Sequence, residues 1–561
     1  MPQQPHANVE SSLWGRFCFH RPRQALRIGI LADGPALQAW LGPVINSMTA
    51  HGVVESIDVF FFAQSSDTSA ASSSWLFRKL ERWSRGREQD GFAPADSLPE
   101  SARRHQLSGS ISSGLTPGDR ELISSWKPDV LLIETASSLK GDCTGVARLG
   151  VWSFLFGEPE FRATCPPYWR EALEASSVSS VSLLVHDRFF EKGRIVESFA
   201  TPNLASLRFT CDQAAPLSAA GLALVRTLTK AAERQQSPKG GVEIVIGSGE
   251  PRLPSGMETA GFIAGKLQRS AVLRARARGK ELRWVVGIRR NSGDSKLPDP
   301  GEGEPFAEIP NPRGHFYADP FIVESNSRHW LFLEDWIDCN GRACLVCMEV
   351  LPGGGFGEPA VILDKPYHLS YPHVFCHEGE FFMIPESADG GIVELYRATR
   401  FPFEWKPEAA LMEDTRLVDT TPFHYEGSWY FFTSTVEQPE EAYLFTSNKI
   451  DGKWHYHPSN PISTDTRRLR GAGAIFRAGN ALIRPAQDCS RGYGYQVAFN
   501  EILRLSPREY SERQVGRLGA TWTPRLTGAH TFNADSEYQV VDGQKLCRRA
   551  APDRADASMD K

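Results

Sequence analysis

The sequence lacks any apolar run approaching the roughly 18–20 residues that a membrane-spanning helix needs, so no integral membrane segment is expected. Its first 25 residues hold no apolar core of about seven residues, and no secretory leader is expected. It also lacks an excess of positive charge. Lys and Arg number 62 against 67 Asp and Glu, a net charge of -5 at pH 7, which argues against a nucleic-acid partner. The short basic runs Arg274–Arg278 and Arg467–Arg470 read as solvated faces. The ten cysteines show no spaced framework. Cys344 and Cys347 lie three apart in CLVCMEV, a strand-like segment whose alternation sends them to opposite faces. Nothing in the pattern calls for a metal ion or a cofactor. Reduced thiols in a cytoplasmic protein are the expectation.

What is present is ample material for cores: 41% hydrophobic and 11% aromatic residues in a chain of 561, too long for one domain. Residues 1–25 and 546–561 are polar and aperiodic and read as disordered tails. Residues 26–234 alternate strand and helix patterns. LRIGILAD (26–33), VESIDVFFF (54–62), PDVLLIE (128–134), GVWSFLFG (150–157) and SVSLLVHDRF (180–189) are buried strands. A helix follows Gly34 up to about Ala50, and another covers 216–234. Residues 64–118 read as a loop insertion with one short helix near Trp75–Trp83. An α/β domain of the doubly wound type is expected. Residues 235–280 have linker composition with one helix, 259–279, before a strand over 281–290.

From residue 281 to about 545 the helix pattern disappears and a repeat takes over. The segments 315–335, 370–387, 419–435, 471–488 and 528–543 share one form: a polar or Pro/Gly element, an apolar pair, a turn, then an aromatic strand ending in polar residues. The positions Asp319, Pro372, Thr421, Gly473 and His530 recur at a spacing of about 50 residues, the size of one four-stranded propeller blade. Five repeats predict an all-β five-bladed propeller. Residues at matching strand ends then converge on one axis. Asp319, His373, Asp419, Gly473 and His530 open the inner hairpins, while Glu334, Asp335, Glu386, Thr433, Gln487 and Asp488 end the second strands, with Arg484 just before the last pair. Together with Tyr317, Trp336, Tyr371 and Tyr493 they offer polar groups for sugar hydroxyls and flat faces for sugar C–H surfaces.

ADPF (318–321) followed by the aromatic strand WLFL (330–333) resembles the first blade of glycoside hydrolase family 43. HFYADPF, SYPHVF, PES, VELYRA, WYFFTS, RPAQDCS, YG and HTFN together resemble the propeller at the N-terminal end of glucosamine inositolphosphorylceramide transferase. The first resemblance implies glycoside cleavage by two carboxyl groups. Asp319 then takes the base position, Glu386 the acid, and Asp419 or Glu334 the position that tunes the site. Tyr371, His373, Asp335, Arg484, Gln487, Asp488, His530 and Asn533 are the candidate binding residues. The second blade opens with Ser-Tyr-Pro-His where the hydrolases carry an acid, a departure from their pattern. The second resemblance implies a binding module, because in that transferase the chemistry belongs to another domain. The expected partner is a carbohydrate or a glycolipid headgroup.

Residues 128–199 carry PDVLLIE, LGVWSFLFGEPEFRATCPPYWREAL and EKGRIVESFAT, which resemble the folate-dependent formyltransferase fold. The family's catalytic Asn, His and Asp correspond to Trp152, Phe154 and Glu191. An indole and a phenyl ring transfer no protons, so the usual formyl transfer is lost on this alignment. A binding loop over Gly157–Pro167, including Arg162, and a sugar N-formyltransferase with an altered site stay open.

Overall fold

In the computed structural model, the described residues are 24–62, 75–85, 92, 94–95, 101–110, 114–134, 139, 141–157, 167–174, 176–203, 213–245, 254–291, 297, 304–352, 354–437 and 439–548. The chain divides into two compact units, Met1–Ser270 and Ala271–Lys561. Among the described residues no helix is long and apolar enough to cross a membrane.

The first unit is built on a mixed eight-stranded sheet, where a doubly wound sheet was expected. Its parallel part runs Arg103–Leu107, Val54–Phe62, Leu26–Ala32, Val130–Glu134 and Val151–Phe156. The remaining strands, Val178–His186, Lys192–Pro202 and Val242–Val245, each pair antiparallel with the preceding one. Apolar runs such as LRIGILA are buried on both faces because helices lie on both. Ile28 and Ile30 face the cluster holding Leu41–Ala50 and Ala214–Arg234, and Leu31 faces the one holding Ile123 of helix Pro117–Trp126. The helix Trp75–Arg85 forms, but the insertion around it also supplies the edge strand Arg103–Leu107. That strand, RRHQL, exposes Arg103, Arg104 and Gln106, buries only Leu107 and carries no apolar alternation.

The second unit is a five-bladed β-propeller. Blades 1 to 4 are antiparallel four-stranded sheets covering 315–363, 370–413, 417–456 and 476–518. Blade 5 is assembled from both ends of the unit. Lys280–Arg290 pairs antiparallel with Tyr538–Arg548 over eleven residue pairs, with Phe532–Ala534 inside and Ala307–Ile309 outside. This pairing closes the circle and leaves the short strand Ala307–Ile309 at the outer edge of the blade.

Side chains of successive blades interleave. Val286, Ile322, Leu331 and Val540 join blades 5 and 1, and Phe321, Phe332, Val374 and Met383 join blades 1 and 2. Each fully buried Leu or Phe contributes about 1.5–3 kcal/mol. Cys344 belongs to the first of these clusters and Cys347 to the second, so the pair does face opposite sides of its sheet.

Gly473 shows how tightly the inner strands meet. Its φ is 128°, and a Cβ there would stand 2.0 Å from the Phe532 carbonyl oxygen. Gly473→Ala is expected to cost about 2–4 kcal/mol through that clash and the unfavourable φ. Denaturant unfolding of the propeller measures it, and a change under about 1 kcal/mol would contradict the packing described.

Candidate functional site

The inner strands of the first three blades break their ladders at matching places. Two residues oppose one at Asp319-Pro320, Tyr371-Pro372 and Asp419-Thr420, which is a β-bulge repeated three times. Asp319, Tyr371 and Asp419 all have left-handed φ, at 47°, 47° and 50°. Such values are uncommon for non-glycine residues and costly for a tyrosine, so the surrounding bonds must hold them. In the fourth blade Gly473 also has a positive φ, though at 128° in a different region.

The bonds that hold them cross between blades. Asp319 N–H donates to Asp542 Oδ2 at 3.1 Å, and Tyr371 N–H donates to Asp319 Oδ2 at 3.1 Å. The Tyr371 hydroxyl meets Thr421 Oγ1 at 2.8 Å and accepts from Gly473 N–H at 2.7 Å. Asn533 accepts from Ala474 N–H and donates to the Pro320 carbonyl, both at 2.7 Å. All five blades therefore meet on one polar network.

At its centre stand Asp319, His530 and Asp542, all buried. His530 Nδ1 lies 2.6 Å from Asp542 Oδ2, and its Nε2 lies 3.6 Å from Asp319 Oδ1. Burial alone would lower the His530 pKa, but the two carboxylates outweigh it and hold it up. Donor atoms of the trio lie within 4.8 Å of one another, a spacing that suits a cation. However, Asp542 already accepts the N–H groups of His530, Thr531 and Asp319, and Asp319 already accepts the Thr531 hydroxyl. The bonds His530 and the two acids make to one another and to Thr531 account for the trio without an ion.

Around the trio lie further acids. Glu334 is pushed well above the usual carboxylate range, by burial first and then by the charges of Asp319, Glu386 and Asp542. Burial also raises Asp319. Glu386 is half-buried, accepts from the Ser370 hydroxyl at 2.9 Å and from Ala388 N–H at 2.7 Å, and is raised to about 7 by burial and by Asp419. Asp419 accepts from Arg470 Nε at 2.7 Å and from Gln487 Nε2 at 3.1 Å.

Partly exposed rings border these acids. Trp336 sits edge-on to His368, which lies 3.7 Å from Glu334. Trp284 stacks on His530 at 3.8 Å, and Tyr493, 47% exposed, is edge-on to both. Tyr493 in turn lies under the Arg470 guanidinium at 5.0 Å.

The structure thus gathers Asp319, Glu334, Glu386, Asp419, Tyr371, Gln487, His530 and Asn533, though Tyr371 and Asn533 serve as latches between blades. Four candidates belong elsewhere. His373 directly follows the bulge, its ring packed with Phe321, Tyr371 and Phe375, and burial pushes its pKa down to about 3. Tyr371, not His373, occupies the matching position. Asp335 points to the opposite face from Glu334, as strand alternation requires, and pairs with His315 at 2.9 Å. Arg484 grips both oxygens of Glu512 at 2.8 Å inside blade 4. Asp488 caps a turn through Ser490 N–H and Gln496.

Missed in the sequence were Asp542, Thr531, His368 and Trp284. So was Arg470, which closes a basic run that reads as solvated. In the first unit, Trp152 is fully buried with its Nε1 donating to the Leu149 carbonyl, and Phe154 stacks on Phe156. Glu191 accepts from Gly141 N–H at the exposed surface. These three do not form a proton-transfer site. The loop reading over Gly157–Pro167 falls mostly on 158–166, outside the described residues, as does Arg162.

With this geometry in hand, residues 307–547 match the family model of the N-terminal region of glucosamine inositolphosphorylceramide transferase 1. The propeller has plant relatives. Glucosamine inositolphosphorylceramide transferase 1 of Oryza sativa subsp. japonica is 34% identical over 240 residues, 41% of this chain and 32% of the relative. The Arabidopsis thaliana protein of that name is 32% identical over 209 residues, 36% of this chain and 27% of the relative. The chain thus spans about a third of the length of the transferases it matches. Solved structures similar to it include an exo-β-1,3-galactanase from Clostridium thermocellum, with 13% identity and TM-score 0.30, covering 36% of this chain and 49% of the galactanase. A family 117 glycoside hydrolase from Zobellia galactanivorans has 11% identity and TM-score 0.31, covering 47% of this chain and 90% of the hydrolase.

Proposed function

We propose that the axial site of the propeller binds the sugar of a glycoside, a glycolipid headgroup among the candidates, and that Glu386 delivers a proton to the glycosidic oxygen during cleavage or transfer. One observation carries this reading: a half-buried carboxyl raised to about 7 stands among buried acids inside a border of partly exposed aromatic rings. A carboxylic acid that is substantially protonated near neutral pH is what general acid catalysis at a glycosidic bond requires. Asp319 is its partner, with Asp419 and Glu334 setting the electrostatics. The name of the plant relatives, glucosamine inositolphosphorylceramide transferase 1, supports a glycolipid headgroup over a free polysaccharide.

A second reading, non-catalytic sugar binding, is favoured by one feature. The Asp319 carboxylate already accepts bonds from Tyr371 N–H and the Thr531 hydroxyl and is 6% exposed. The pH profile of turnover on aryl glycosides and nucleotide sugars separates the two. Glu386 titrates from acid to carboxylate as pH rises through about 7, so turnover is expected to be present below that pH and to fall above it. A profile rising through pH 7 would remove Glu386 as the acid. Sugar binding without turnover at any pH would establish the second reading. Formyl transfer in the first unit finds no support in Trp152, Phe154 and Glu191, and formyl-folate is expected to give no thermal protection.

A further inference from the structure

We infer that Arg470 makes the axial site select glycosides carrying an anionic group, a phosphate ester or a carboxylate, beside the bound sugar. The inference rests on the sugar-site reading above and narrows its substrate class. One contact ties down the Arg470 backbone and two fix its guanidinium plane. The Arg470 carbonyl accepts from Gln487 N–H at 2.9 Å, which ties the residue to the second strand of blade 4. Its Nε donates to Asp419 Oδ2 at 2.7 Å. Its Cζ stands 5.0 Å over the Tyr493 ring. Among the described residues Nη1 and Nη2 form no hydrogen bond, and the side chain is 28% exposed. Four N–H donors in one plane are left without a hydrogen-bond partner among the described residues.

Arg484 in the same blade shows what a completed structural pair looks like. Its Nε and Nη2 take both oxygens of Glu512, Nη2 also reaches the Arg468 carbonyl, and the side chain is 2% exposed. Arg470 is bonded on one side only. The other cation of the site, His530, is 3% exposed and committed to Asp542. An incoming anion therefore meets Arg470 first. The acids around it oppose an anion less than their number suggests. Asp419 is set against Arg470 itself, and Glu334 is held toward its neutral form. A planar fork with open donors matches the paired oxygens of a carboxylate or phosphate, and such charge-assisted bonds are stronger than those to a neutral hydroxyl.

The test is calorimetric titration of the full chain with methyl glucoside, methyl glucuronoside and glucose 1-phosphate, repeated with Arg470→Gln and Arg470→Lys. The wild type is expected to bind at least one anionic sugar about tenfold or more tighter than the neutral one. Which of the two is preferred tells carboxylate from phosphate. Arg470→Gln is expected to erase the preference, and Arg470→Lys to restore part of it. Equal or tighter binding of the neutral sugar by the wild type overturns this inference alone, with no variant needed. A preference that survives in Arg470→Gln overturns it too. Failure of all three sugars to bind takes down both this inference and the sugar site beneath it.

Discussion

Asp542→Asn is expected to destabilise the propeller by about 3–5 kcal/mol, the usual cost of removing one member of a buried ion pair. Asp542 is completely buried and accepts four bonds: from the backbone N–H groups of His530, Thr531 and Asp319, and from the His530 ring. The substitution keeps the shape and one carbonyl oxygen, which still serves His530 and Thr531. The amide nitrogen, however, then faces the Asp319 N–H and the His530 ring donor, so donors oppose donors in a dry site. His530 also loses a carboxylate that outweighs its burial, and its charge becomes costly. Because the chain has two compact units, the propeller's own transition must be followed in denaturant rather than one global midpoint. A shift under about 1 kcal/mol would mean that the axis is held by apolar packing and that the polar network is incidental.

Glu386→Gln is expected to lower turnover by about 10²–10⁴-fold with sugar affinity nearly unchanged, the range for losing a general acid. The fold should survive. A glutamine still offers an oxygen to Ala388 N–H and an amide to the Ser370 oxygen, the two partners of Glu386. Asp319→Asn is a poorer test, since Asp319 also anchors Tyr371 and Thr531 and its loss mixes folding with chemistry. The raised pKa of Glu386 carries a stability consequence as well. Between its ordinary value of 4.5 and about 7 the folded state binds the extra proton, so its contribution to stability is full below 4.5 and is lost as pH rises through 7. Glu386→Gln removes that slope. Equal turnover in Glu386→Gln and wild type would transfer the acid role elsewhere or end the enzymatic reading.

The blades were legible in the sequence because each repeats a turn and an aromatic strand at a spacing of about 50 residues, and that periodicity has no helical alternative. The ring of acids followed from the same repeat, as Asp319, Glu334, Glu386 and Asp419 sit at matching strand ends. Register inside a bulge was not legible. Ser-Tyr-Pro-His offers two side chains for one position, and only the left-handed φ at Tyr371 decides between them. Nor could a pattern tell Arg484, spent on Glu512, from Arg470, which reaches the site from the end of a basic run. Partners in other strands settle such cases, and they lie 28 and 51 residues away. Asp542 was hidden differently, as one acid in a buried strand whose role appears only when both ends of the unit pair. In the first unit the strand Arg103–Leu107 has no apolar alternation, because as an edge strand it buries little.

The most direct test is a crystal structure of the propeller with a bound glycoside. The sugar is expected over Glu386, bordered by Trp336 and His368 on one side and by Trp284, Tyr493 and Arg470 on the other. A sugar bound on the outer strands of a blade, or excluded from the axis while bound elsewhere, would contradict it.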